Sequence, residues 1–334
     1  MKTKRILVLL MACILCLSVF ASCKNDKNDG EQTEDDVYYA VSFNTGTNEK
    51  IEPKLVKKGS SVDEPPVPIR DGYVFDGWYN GTRSWDFGYT VKENMTLTAH
   101  WTNADNVFKY SPAADGETAV ITGIKDKSEE IRIPTYIGGY RVVAIGDGAF
   151  GNLSSESVSK VVVPDGVTAI GKEAFANSPD VEIVIEGTVS QLGERAFFGC
   201  TGLKAIKLGG GIETVTAEAF VGSGLESIAL PESVRVVDEN AFSECAALKA
   251  LFIYSSIEAI NDMAFQDTGV TAIFFYGTDG ELTDVLEEKI SDNNDKLISA
   301  NHYIYSENEP AEGVNTVHDG FWYFNEKGQT RLWK

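Results

Sequence analysis

From about residue 140 to residue 276, apolar residues recur on a fixed grid. The pair Ala-Phe occurs six times, at Ala149-Phe150, Ala174-Phe175, Ala196-Phe197, Ala219-Phe220, Ala241-Phe242 and Ala264-Phe265, with spacings of 25, 22, 23, 22 and 23. Four residues before each Ala stands Ile145, Ile170, Leu192, Val215, Val237 or Ile260; seven before it stands Val142, Val167, Val189, Ile212, Val234 or Ile257. Upstream lie alternating strands: Val161/Val163, Leu203/Ile206/Leu208, Leu225/Ile228/Leu230, Leu248/Leu251/Ile253 and, with no Ala-Phe of its own, Val270/Ile273/Phe275. A turn of this length cannot bury its apolar side alone. Stacked turns align each position into a continuous internal column. Ala leaves room for the neighbouring Phe, and Gly146, Gly171 and Gly193 read as sharp bends. The pattern predicts a mixed α/β, mostly β solenoid over residues 131–276, with a parallel sheet of about seven to eight strands.

The flanks follow other patterns. Over residues 37–102, Tyr39–Phe43 and Met95–Trp101 alternate like strands, and Gly72–Tyr79 and Trp85–Phe87 supply aromatics at short-strand spacing. This predicts a small β-rich unit with Trp78 and Trp85 in its core. Residues 103–130 read as a hairpin, Phe108 to Ile124, that opens the solenoid. Residues 277–334 read as its C-terminal closure, with a helix near Leu282–Ile290 and an aromatic hairpin around Trp322-Tyr323-Phe324 and Leu332-Trp333.

Two resemblances rest on these residues. The series L-x-x-I-x-L-P-x-x-V-x-x-I-G-x-x-A-F-x-x-C over residues 131–276 resembles the BspA-like leucine-rich repeats of bacterial surface proteins. Val41/Phe43, Gly72–Tyr79, Trp85–Phe87 and Thr96–Trp101 resemble the Listeria–Bacteroides repeat, or internalin B-repeat. The first implies a leucine-rich-repeat solenoid, and the second a β-grasp-like module ahead of it. Neither brings a catalytic residue; both imply a surface protein that binds or spaces.

The N-terminus changes where such a protein would sit. Lys2, Lys4 and Arg5 precede an apolar run from Ile6 to Phe20, broken only by Ser18 and short for a membrane span. Phe20-Ala21-Ser22-Cys23 then resembles a lipobox, with Phe20 where Leu, Val or Ile is usual. On this reading residues 1–22 are a lipoprotein signal peptide, Cys23 is the lipid attachment site, and residues 23–36 are a charged tether. Ordinary cleavage after Ala21 is the alternative. The expected location is extracytoplasmic, held to a membrane by the N-terminal lipid alone. Cys200 and Cys245 fall two turns apart on the grid. At about 4.8 Å per turn they lie beyond the ~7 Å reach of a disulfide and are expected as buried free thiols.

The 334 residues carry a formal net charge of −21, which argues against nucleic acid as a partner. His100, His302 and His318 have no metal-ligand spacing, no phosphate loop occurs, and no cofactor is implied. Asp292–Asp295 lacks the glycine and distal Glu of a calcium loop and reads as a solvated loop. The one surface the pattern defines is the strand face. Its outward column reads Arg132, Val162, Val184, Lys207, Ala229, Phe252, Phe274 and, if Tyr303/Tyr305 continue the sheet, Ile304. Arg132, Lys207, Phe252, Phe274 and Ile304 are therefore the candidate ligand-binding residues. Phe252 and Phe274 would form an apolar patch unless the tail around Trp322 or Trp333 folds over them. The expectation is a non-enzymatic surface protein that binds a host or bacterial surface protein, with glycan binding or passive spacing as the alternatives.

Overall fold

A computed structural model describes residues 37–125, 128–291, 293–307, 319–324 and 329–332. The first module is a five-stranded sheet in the order Ile51–Lys57, Tyr38–Asn44, Met95–Asn103, Tyr73–Asn80, Arg83–Ser84. Its two central strands, Tyr38–Asn44 and Met95–Asn103, run parallel, and their neighbours pair with them antiparallel. This is the central pairing a β-grasp requires; residues 58–72 between the second and third strands hold no helix. Val41, Phe43, Leu97 and Trp78 fill one side, with Trp78 edge-on to Phe43 at 5.2 Å and to Phe75 at 5.5 Å. Trp78 is core as expected. Trp85 stays half-buried at the margin, edge-on to Tyr89.

The hairpin Phe108–Pro112/Thr118–Ile124 opens the solenoid, and Thr118–Ile124 pairs with Tyr140–Ile145 of the first turn. Each later turn adds a strand to the strand face, then a two-residue strand to a second ladder, then the Ala-Phe bend. All six Ala-Phe pairs are buried. Their rings form one stack at centroid spacings of 5.3, 5.3, 5.6, 5.1 and 4.9 Å. The backbone repeats with it. Phe150, Phe175, Phe197, Phe220 and Phe242 each donate their N–H to the Ala carbonyl of the next turn, at 2.7 to 2.9 Å.

Two conformational details differ from the sequence reading. Gly146, Gly171 and Gly193 are not left-handed bends; turns simply pass too close there for a side chain. A Cβ at Gly171 would lie 2.8 Å from the Asp147 nitrogen, and one at Gly193 would collide with Lys172. The left-handed positions lie elsewhere and recur in every turn. The residue before each Ala is Gly148, Glu173, Arg195, Glu218, Asn240 or Met263; the residue two after each Phe is Asn152, Asn177, Gly199, Gly222, Glu244 or Asp267. All twelve have φ between 53° and 70°.

The ladders are not continuous. On the strand face, Glu130–Arg132, Lys160–Val163 and Glu182–Ile185 form one block; Ser227–Ala229, Ala250–Tyr254, Ala272–Tyr276, Asn301–Tyr305, Gly320–Phe324 and Thr330–Leu332 form another. Between them, Lys207–Leu208 pairs with Thr188–Val189 instead of with Glu182–Ile185. The second ladder breaks in the same turn, after Gln191–Leu192 and before Thr214–Val215. That turn holds Gly209-Gly210-Gly211. A Cβ at Gly209 would fall 2.7 Å from Ser190 Oγ and 2.8 Å from Thr188 Cγ2, so glycine permits the shifted pairing. The Phe stack crosses the break at its widest spacing, 5.6 Å.

The far end is closed by the helix Asp279–Glu288. It begins at a capping box between Thr278 and Glu281, which sets its start before the expected Leu282. It also ends before Ile290, which instead bridges to Ile260.

Candidate binding surface

The outward column of the strand face runs from charged and aliphatic to aromatic. At its start, Arg132 bridges to Glu186 at 2.9 Å. Arg132 lies on one strand flanking Lys160–Val163 and Glu186 just past the end of the other, Glu182–Ile185, so the ion pair passes over Val162, which is buried rather than outward and open. The first module adjoins this end. Val74 packs against the solenoid core, and Tyr73, Phe75 and Trp101 line a cleft with Arg132, Pro134 and Glu186. Arg132 Nε is buried with no hydrogen-bond partner among the described residues.

At the other end the rings meet as expected and are then covered. Phe252 and Phe274 stack at 4.6 Å, and Tyr303 continues the stack at 5.5 Å. A second row, two residues further along each strand, holds Tyr254, Tyr276 and Tyr305 at 4.3 and 5.0 Å. Trp322 is wholly buried across these rows, edge-on to Phe252 and Phe274 at 5.5 Å, to Tyr276 at 4.8 Å and to Tyr305 at 5.0 Å. The patch is therefore closed by the chain's own tail. Burial, then the neighbouring Tyr254 and Tyr305, pushes the Tyr276 phenol up, so it stays neutral.

Ile304 is a correction. It pairs in register with Phe275, an inward residue, and is buried; Tyr303 opposite Phe274 holds the outward place. No Ala-Phe pair precedes this strand to fix its phase. The second tyrosine row was available from alternation alone, because Tyr254 and Tyr276 stand two after Phe252 and Phe274. With both ends occupied, the open part of the face is its middle. Glu182, Lys207, Ser227 and Ala229 are exposed, with Val184, Ala250 and Ala272 half-buried beside them.

Chemistry is sparse. Cys200 and Cys245 are free and buried, and their thiols donate to the carbonyls of Phe175 and Phe220 at 3.0 and 2.9 Å. Ser178 makes the same bond to Phe150 at 3.0 Å. Burial pushes the Cys200 thiol up to about 12 and raises that of Cys245. Thiols held protonated in this way are poor nucleophiles. Among the described residues no group of His, Cys, Asp and Glu is arranged to hold a metal ion, and no helix is long and apolar enough to cross a membrane. Of the supposed solvated loop, Asn294 is buried and structural. Its Oδ1 accepts from Phe265 N–H at 2.9 Å, and its Nδ2 donates to the carbonyls of Asn261 and Ser291. Cys23, His318 and Trp333 lie outside the described residues.

Comparison with known proteins agrees with this architecture. Residues 127–247 and 168–284 match the BspA type leucine rich repeat region, in six copies, and residues 39–100 match the Listeria-Bacteroides repeat domain. A putative membrane protein of Evansella cellulosilytica is 36% identical over 86 residues, 25% of this chain and 13% of that protein. Internalin H of Listeria monocytogenes is 36% identical over 74 residues, 21% of this chain and 14% of that protein. The matched stretch is thus a small part of either relative. Among solved structures, a leucine rich cell surface protein from Faecalibacterium prausnitzii is 23% identical with a TM-score of 0.45, covering 69% of this chain and 60% of that one. The Treponema pallidum leucine rich repeat protein is 24% identical with a TM-score of 0.33, covering 52% and 70%.

Proposed function

The chain carries a BspA type leucine-rich-repeat region behind a Listeria-Bacteroides repeat domain, and from that premise we propose that it is a non-enzymatic bacterial surface lipoprotein, anchored through Cys23, that binds a protein partner on its strand face. The observation that carries this is the open middle of the face, where Glu182, Lys207, Ser227 and Ala229 are exposed between the end beside the first module and the end covered by Trp322. A mixed polar and apolar surface is what a protein interface needs.

The aromatic rows favour a protein over a glycan. Sugar stacking uses an open ring face, but these rings spend their faces on one another at 4.3 to 5.5 Å, beneath Trp322. A passive spacer would show no saturable partner. The test is a pull-down from host matrix and mucin extracts, followed by titration of the captured protein. Lys207→Glu with Ala229→Arg should weaken binding about tenfold or more, equivalent to ~1.4 kcal/mol, without changing the melting temperature. Binding unaffected by these changes, or binding to a glycan array instead, would overturn the reading. Anchoring is tested separately: Cys23→Ser should abolish palmitate labelling and release the protein from membranes.

A further inference from the structure

The first module has a surface the strand-face reading does not use. Leu55, on the outer strand Ile51–Lys57, is 76% exposed; Tyr38 is 54% and Val37 42% exposed. Tyr38 and Leu55 share one face of this strand pair, and Val37 lies at its end. Ala40 pairs with Leu55 and Tyr38 with Lys57, and Lys58 N–H donates to the Val37 carbonyl at 2.8 Å. Leu55 and Lys57 share one face of the strand, opposite the buried Val56. Lys57 and Lys58 are exposed and make no ion pair among the described residues. A lone aliphatic side chain this open, beside a tyrosine and two free ammonium groups, matches the chemistry of a membrane–water interface. There apolar groups enter, Tyr sits at headgroup level and lysines meet anionic lipid.

Position and charge agree. The patch lies where the chain enters the module, separated from Cys23 by the 13 residues 24 to 36. The charge is divided unevenly along the chain. Residues 37–102 hold seven Lys/Arg and eight Asp/Glu, a net of −1, whereas residues 103–334 hold 17 and 36, a net of −19. An anionic surface therefore repels the solenoid and tolerates the module.

We propose that Val37, Tyr38, Leu55, Lys57 and Lys58 rest on the anionic lipid surface that holds the chain, directing the acidic solenoid away from it. This rests on the anchored reading for its effective concentration. Two lysines, at about fivefold each, are too weak alone but suffice once a short tether confines the module.

The test separates the two ideas. The mature, unacylated chain is coupled through Cys23 to maleimide-bearing vesicles, so a tether exists whether or not the cell acylates that residue. Cys200 and Cys245 are buried and stay uncoupled. Hydrogen exchange is compared on phosphatidylcholine vesicles with and without phosphatidylglycerol. Amides of residues 37–40 and 54–58 should exchange at least threefold more slowly on the anionic vesicles. The difference should vanish in 0.5 M salt and in the variant L55S/K57S/K58S. Equal exchange on both vesicles, or slowing that survives the triple change, overturns the proposal. Palmitate labelling of the wild type decides the anchor independently.

Discussion

Cys200 shows how burial turns one side chain into a pH liability. Its thiol is pushed up to about 12, from a value near 9 in the unfolded chain. A raised pKa in the folded state stabilises below the unfolded value. Above pH 9 the unfolded chain loses a proton that the folded chain keeps, and stability falls by about 1.4 kcal/mol per pH unit until the folded thiol ionises near 12. Urea titrations at pH 8, 9.5 and 10.5 should show this decline, smaller in Cys200→Ser, whose hydroxyl can copy the Ser178 bond. Gly222 offers a cleaner test of backbone strain. Its φ is 63°, and a Cβ there would meet nothing nearer than 3.9 Å. Gly222→Ala should therefore cost about 1 kcal/mol, through conformation alone. The left-handed positions were only partly legible in the sequence: Asn and Gly favour φ > 0, but Glu, Arg and Met hold five of the twelve and do not advertise it.

At the scale of the element, the six Ala-Phe pairs were readable because a side chain that must stack on its copy every turn cannot vary. What closes the stack was not readable. Phe265 has no following Ala carbonyl, and Asn294 Oδ1 takes its place. A buried asparagine inside Asp292–Asp295 looks no different in sequence from a solvated one; only the missing seventh Ala-Phe pair hints that a substitute is needed. Asn294→Ala strands the Phe265 N–H in the interior; the Asn261 carbonyl keeps its bond from the Ala264 N–H. It should cost about 1–3 kcal/mol for that stranded group, seen as a lower urea midpoint. Asn294→Asp keeps the acceptor but turns a buried carboxylate oxygen toward the Asn261 and Ser291 carbonyls, and should cost at least as much. The ladder break at Gly209–Gly211 was equally hidden, since Leu203/Ile206/Leu208 keep the apolar rhythm while the pairing slips.

Across the whole molecule, the face that alternation assigns outward is divided among three occupants: the first module, solvent, and the tail. Alternation placed Phe252 and Phe274 outward side by side, and they are; it failed at Ile304, one residue out of phase, and could not show that Trp322 returns to cover them. Truncating Phe252 and Phe274 to Ala therefore removes the bed of a buried indole. The double variant should lose about 3–5 kcal/mol, visible as a melting shift, and its tail should become open to protease near Trp322. Single truncation of Lys207 should leave the melting curve unchanged. Asn294 has a consequence for the length of such proteins. The closing segment is held by the last turn, through the Phe265 N–H, the Asn261 carbonyl and the Ile260–Ile290 bridge, and a unit added ahead of that turn leaves these contacts in place. A duplicated 23-residue unit inserted before the last Ala-Phe pair should thus be received by the same closure, moving it about 5 Å farther from the first module, the spacing of successive rings. Copy number then acts as a ruler: duplication or loss of a unit sets how far the aromatic end stands from the first module, without redesign of either terminus.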